Sequence, residues 1–133
     1  MALKGKLEEI IRRGIHRKIS WSCNMRVNTD LGLLPLMKSS NCRMLMVGFE
    51  FGTDEALRVI RKGGVSIVMG RVFAETAHRL GFTIHGCFMV GAPGETRASA
   101  RATIDYAKSL PLDTMQITGI ATYPGTALYK WAR

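Results

Sequence analysis

A chain of 133 residues, 47% apolar and 22% charged, has the length and balance of one globular domain, residues 1–133; two full-sized domains and a disordered chain are both excluded. Nineteen Lys and Arg against ten Asp and Glu give a net charge of +9, but the cations are spread out, and no aromatic residue interleaves with the one dense stretch, Lys4 to Lys18, which argues against a nucleic-acid partner. No apolar run reaches the roughly 18 residues of a membrane span, and the first residues lead into Glu8 and Glu9 rather than an apolar leader, so a cytoplasmic protein is expected, with no membrane partner.

The first 17 residues read as an amphipathic helix, with Leu3, Leu7, Ile10, Ile11 and Ile15 spaced by three and four and Gly14 as its stop. Ile19, Trp21, Cys23 and Met25 then alternate with polar residues, a strand pattern. Thr29 or Asp30 can cap a short helix carrying Leu31, Leu34 and Met37, with Pro35 in its first turn. Arg43 to Phe49 is a continuous apolar run of strand length. Thr53-Asp-Glu opens a helix that Arg61-Lys-Gly-Gly64 breaks, and the acidic first turn suits the helix dipole. Ser66 caps a second helix with a stripe of Met69, Val72, Phe73, Thr76, Ala77 and Leu80, ended by Gly81. Phe82 to Val90 is the third strand. Thr96 caps a helix with Ala100, Thr103, Ile104 and Ala107, which Pro111 stops, and Thr114 to Thr122 is the fourth strand, before a last helical turn.

Strands alternating with helices predict an α/β fold: a four-unit parallel (β/α) half-barrel with right-handed crossovers. A full eight-stranded barrel needs about 250 residues. A four-stranded open sheet leaves two edges and an uncovered face, so the chain is expected to associate with a copy of itself or with a complementary barrel half.

The three cysteines, Cys23, Cys42 and Cys87, are widely spaced and form no metal-ligand motif; buried thiols are the default reading. His85 and Cys87, two apart on a strand, share a face, but two ligands make no metal site. His16, His78 and His85 have no partnered nucleophile nearby, no Ser or Cys sits in a nucleophile elbow, and no residue reads as catalytic.

In parallel α/β structures ligands bind at the carboxyl ends of the strands. The residues there are Asn24, Arg26 and Asn28 after strand one; Gly48, Glu50 and Gly52 after strand two; Gly91, Ala92, Pro93, Gly94, Glu95 and Thr96 after strand three; and Thr122 and Tyr123-Pro-Gly-Thr126 after strand four. Glu50, between two glycines, reads equally as an acceptor for a ribose diol or amine and as a capping or ion-paired carboxylate beside Arg26 or Lys62. The loop from Gly91 to Thr96 reads as a backbone approach to a ligand or as a plain turn with a cap.

Four segments in order, Met44 to Leu57, Arg61 to Gly63, His85 to Thr96 and Tyr123 to Tyr129, resemble the radical SAM family, in particular members with an N-terminal cobalamin-binding domain. That resemblance implies a partial (β/α)6 barrel, of which this chain is similar to the portion from about the third strand to the sixth. It implies that Glu50 contacts the ribose of S-adenosylmethionine, that Arg26 and Lys62 lie near its methionine carboxylate, and that Gly91 to Glu95 and Ala121 to Tyr123 flank its adenine. The family's [4Fe–4S] cluster is held by a CxxxCxxC triad, which this sequence lacks and which Cys23, Cys42 and Cys87 do not replace. Phe51 stands where the family usually has Ser, Asn41 where it has Gly, Gly63-Gly64 holds one extra residue, and Val68 and Gly70 replace better helix formers. The resemblance thus implies a truncated radical SAM-like domain, without catalysis on its own, with at most a weak S-adenosylmethionine or nucleotide site. The alternatives are a self-associating half-barrel scaffold with no ligand and a basic nucleic-acid-binding module.

Overall fold

A computed structural model describes residues 3–60 and 64–132. Helix α1 (Leu3–Arg12) is shorter than its apolar spacing predicts, because Gly14 turns left-handed (φ 68°) and donates its N–H to the Ile11 carbonyl. Ile15–Arg17 is therefore a separate 3₁₀ turn. Strand β1 (Trp21–Arg26) follows. Asp30, not Thr29, caps the next segment by accepting from the Gly32 N–H at 2.9 Å. One 3₁₀ turn (Leu31–Leu33) then runs into α2 (Leu34–Ser39), with Pro35 in its first turn, where no intrahelical N–H is lost.

Strand β2 (Cys42–Glu50) leads to α3 (Asp54–Val59), capped by Thr53, and α4 (Ile67–Arg79), capped by Ser66. Strand β3 (Thr83–Val90) leads to α5 (Arg97–Ser109), where Thr96 and Ser99 form a reciprocal capping box. Strand β4 (Thr114–Gly119) precedes α6 (Ala127–Ala132). The strands form one parallel sheet in the order β1-β2-β3-β4, the four-unit half-barrel architecture that the alternation of elements predicts.

Helices cover one face of this sheet. Leu45, Val47, Phe49, Ile84 and Phe88 point into that layer and meet Leu34, Met37, Phe73, Ala77 and Ala107. Phe49 stacks on Phe88 (centroids 5.3 Å apart), and Tyr106 stands edge-on to both rings. The stripe of α4 is rotated from the spacing read in the sequence. Gly70, Phe73, Ala74 and Ala77 are buried, whereas Met69 and Val72 are exposed. The cause is Gly70: a Cβ there would come within 2.3 Å of the Tyr106 hydroxyl, so the absence of a side chain lets α4 sit down on α5. Strand β4 ends at Gly119, three residues earlier than predicted, and all six of its residues are exposed.

The departure at Asn41 has a local reason. Asn41 adopts φ 68°, a region that glycine occupies freely and asparagine tolerates better than other side chains, and its amide donates to the Ile19 carbonyl at 2.6 Å.

Candidate functional site

The parallel order places the carboxyl ends of all four strands on one rim, so Arg26, Glu50, the loop from Gly91 to Glu95, and the segment that holds Thr122 and Tyr123 lie along it in that order. Lys62 lies outside the described residues. Arg26 is exposed at the end of β1, in register with Gly48. Thr122 and Tyr123 are also exposed, in irregular backbone beyond β4 that stays tied to the sheet by the Ile120 N–H donating to the Val90 carbonyl at 2.8 Å.

Glu50 is the most constrained of these residues. The β2–β3 register slips between Gly48 and Glu50, a β-bulge, and Glu50 itself adopts φ 70°. A non-glycine residue there costs of order 1 kcal/mol and persists only where its surroundings impose it. The next two residues impose it. Phe51 is fully buried, in a cluster with Leu57 and Ala92. Gly52 donates its N–H to Thr103 Oγ1 at 3.0 Å, and its α-carbon lies so close to α5 that a Cβ would meet the Ala102 carbonyl oxygen at 2.4 Å. Phe51, in place of the resembled family's Ser, is therefore an anchor that fixes the carboxylate position before it.

The third-strand loop is more self-contained than a ligand-cradling reading requires. Gly91 and Gly94 both have positive φ (91° and 77°), the Glu95 N–H closes a turn on the Ala92 carbonyl at 2.9 Å, and Glu95 Oε2 accepts the Gly91 N–H. Glu95 thus serves its own turn, while its Oε1 is buried and finds no partner among the described residues. Ala92 is buried beneath the loop. Pro93 faces a groove of about 520 Å³ that it shares with Val59, Ile60, Ile120, Leu128 and Trp131. The sequence reading missed this groove, since nothing in linear spacing brings α3, the β3 loop and α6 together.

The cysteines are divided between the two faces of the sheet. Cys23 and Cys42 lie on the helix side, where burial pushes the Cys42 thiol up to about 12 and raises that of Cys23. Cys87 lies on the opposite face, in register with Gly48 and Gln116. A shared set of three thiolates for an iron–sulfur cluster does not fit this division, and among the described residues no three His, Cys, Asp or Glu side chains converge. No helix among the described residues is long and apolar enough to cross a membrane. His85 Nδ1 pairs with Thr114 Oγ1 at 2.8 Å across the strands, a contact that only the register reveals.

No family model matches the chain. An uncharacterized methyltransferase of Pyrococcus horikoshii is 36% identical over 115 residues, which cover 86% of this chain and 25% of that protein. A radical S-adenosylmethionine methyltransferase of Kitasatospora setae, TsrM, solved with cobalamin and a [4Fe–4S] cluster bound, superimposes with a TM-score of 0.80 at 21% identity, over 87% of this chain and 23% of that one. The same enzyme with tryptophan substrate and an S-adenosylmethionine analogue gives a TM-score of 0.78. Escherichia coli coproporphyrinogen III oxidase, described as a radical SAM enzyme, gives 0.79 at 16% identity, over 92% of this chain and 30% of that one. The chain therefore has the fold of a portion of a radical SAM barrel and resembles a methyltransferase in sequence. It spans about a quarter of the length of the curated relatives it matches.

Proposed function

We propose that this chain supplies the later part of a radical SAM methyltransferase barrel, and that its rim holds S-adenosylmethionine. In this reading Glu50 accepts from the ribose hydroxyls, Arg26 and Lys62 face the methionine carboxylate, and the segments Gly91 to Glu95 and Thr122 to Tyr123 flank the adenine. The observation that carries it is Glu50: a carboxylate held at φ 70° on a bulge, at the carboxyl end of a central strand, by the buried Phe51 and the docked Gly52. Backbone strain of this kind clusters at ligand sites. The apolar groove beside Pro93 and Ile120 supports a flat heterocycle near the same loop. S-adenosylmethionine would bring the transferable methyl group; this chain's own residues orient it and supply no cluster ligands, so the isolated chain binds without catalysing.

Isothermal titration with S-adenosylmethionine, on the wild type and on Glu50→Gln, tests this. Saturable binding that weakens about tenfold or more in Glu50→Gln is the expected result, the usual scale for a hydrogen bond to a charged group. No heat with wild type at millimolar ligand overturns the reading.

A second reading, a scaffold that pairs with another copy or a complementary half, is favoured by β4. On the helix side of this edge strand Met115 and Ile117 stay 44% and 40% exposed, although helices bury the same face of β2 and β3. Sedimentation across a concentration series decides it: a monomer at every concentration removes the self-pairing form.

A further inference from the structure

The uncovered face of the sheet has an unusual composition. Alternation and register place Ser22, Asn24 and Arg26 of β1, Met44, Met46 and Gly48 of β2, Thr83, His85, Cys87 and Met89 of β3, and Thr114, Gln116 and Thr118 of β4 on it. No leucine, isoleucine or valine stands among them, although the covered face of the same strands carries Leu45, Val47 and Ile84. The large side chains at its centre are sulfur and imidazole groups. Met46 is the direct neighbour of His85, and Cys87 follows His85 on the same face, beside Met89. Opposite Cys87 stands Gly48, which contributes no side chain. His85 Nδ1 is engaged by Thr114 Oγ1, which fixes the imidazole and turns Nε2 to the other side of the ring.

We propose that this face binds one monovalent copper ion, Cu(I), through Cys87 Sγ, His85 Nε2 and Met46 Sδ. The thioether is what selects Cu(I): thiolate and imidazole serve Zn(II) as well, but Zn(II), Mg(II) and Ca(II) do not use methionine. Directly opposed residues on neighbouring strands have Cβ atoms about 5 Å apart, and diagonal ones lie about 7–8 Å apart, so one ion between these three side chains is within their reach. On binding, the Cys87 thiol loses its proton to solvent and a copper–sulfur bond forms; the copper enters and stays as Cu(I), and no electron moves. This site shares no residue with the proposed S-adenosylmethionine set, so either stands if the other fails.

The test is anaerobic competition for Cu(I) against a chromophoric Cu(I) chelator, with purified wild type, Cys87→Ser, Met46→Leu and Cys23→Ser, and X-ray absorption of the loaded protein. One Cu(I) per chain is expected, with sulfur and nitrogen scattering. Cys87→Ser and Met46→Leu should each weaken it roughly tenfold or more, since even outer-shell changes reach that scale. Cys23→Ser, on the opposite face, should match wild type, and Zn(II), which gains nothing from Met46, should compete only weakly. If Cys87→Ser loses its fold, as read by far-ultraviolet circular dichroism, Met46→Leu decides alone, because it conserves volume. No uptake, equal uptake by wild type and Met46→Leu, or uptake lost only in Cys23→Ser overturns the site.

Discussion

On its covered face the sheet presents Leu45, Val47, Phe49, Ile84 and Phe88, all buried beneath helices; at the intervening positions it presents Met46, His85, Cys87 and Gln116, none of them buried. The same strands carry both sets at alternating, adjacent positions, so the difference reflects what each face meets and not strand propensity. The covered face is built for packing, with rings in fixed stacking and edge-on contacts. The open face is built from groups that can bond to something else. Stability should therefore reside almost wholly on one side and ligand chemistry on the other, and mutations can separate the two.

The largest effect belongs to the covered face. Phe88 is 1% exposed, stacks on Phe49 and meets the edge of Tyr106. Phe88→Ala removes a ring from a closed aromatic trio and should cost about 3–5 kcal/mol, read as a fall in the urea midpoint at unchanged slope. A cost below about 1 kcal/mol would mean that the trio is loosely packed and would break the comparison between the faces.

Next comes Gly70→Ala. Helix propensity alone predicts a gain of about 1 kcal/mol. The new methyl, however, meets the Tyr106 hydroxyl at 2.3 Å, and that hydroxyl is held in place by donating to the Ile67 carbonyl at 2.8 Å. Overpacking costs about 1–3 kcal/mol, so a net loss is expected. In a Tyr106→Phe background the obstructing atom is gone, and the same substitution should lose much less. A double-mutant cycle by chemical denaturation measures that coupling. Additive effects would show that Gly70 owes nothing to Tyr106.

These two positions also show what was legible in the sequence. Strand and helix identities, the Thr53, Ser66 and Thr96 caps and the parallel order follow from spacing and local hydrogen-bonding chemistry, which are properties of neighbouring residues. The burial of Gly70 does not, because its reason is a tyrosine hydroxyl 36 positions away. The rotated stripe of α4 has the same origin. The site divides in the same way. That Glu50 ends a strand between two glycines is visible in the sequence. That it sits at positive φ because Phe51 is buried and Gly52 is docked on Thr103 is visible only in three dimensions. Strand four read three residues too long, because Ile120 to Thr122 keep an apolar, β-branched composition after ladder pairing has stopped at Gly119.

Tyr106 gives the covered face a pH signature. Burial pushes its hydroxyl up to about 12, from an ordinary value near 10, with Arg71 opposing and Asp54 adding to the rise. A group whose native pKa lies above its unfolded value favours the folded state below the unfolded pKa and loses that advantage as pH rises through the native one. The chain should thus lose a stability component between about pH 10 and pH 12, and Tyr106→Phe should lose less over that window. Thermal melts of both proteins at stepped alkaline pH read the difference. Parallel curves would place the ionisation elsewhere.

The smallest effect is expected from the open face, and it is the one that most sharply defines the comparison. Met46 and Thr114 stand where no helix covers the sheet; Met46 is half-buried by its neighbours and Thr114 is exposed. Met46→Leu conserves volume, and Thr114→Val conserves shape while removing the oxygen that meets His85. Neither creates a cavity, strands a buried polar group or strains the backbone, so each should change stability by no more than about 0.5 kcal/mol in the denaturation assay that reads Phe88→Ala. A loss of about 2 kcal/mol from Met46→Leu would mean that this side chain already packs against a covering surface, such as a second copy of the chain, and concentration-dependent melting would identify it. With neither loss nor concentration dependence, the Met46 thioether and the contact between His85 and Thr114 contribute little to folding, as a face reserved for a ligand requires.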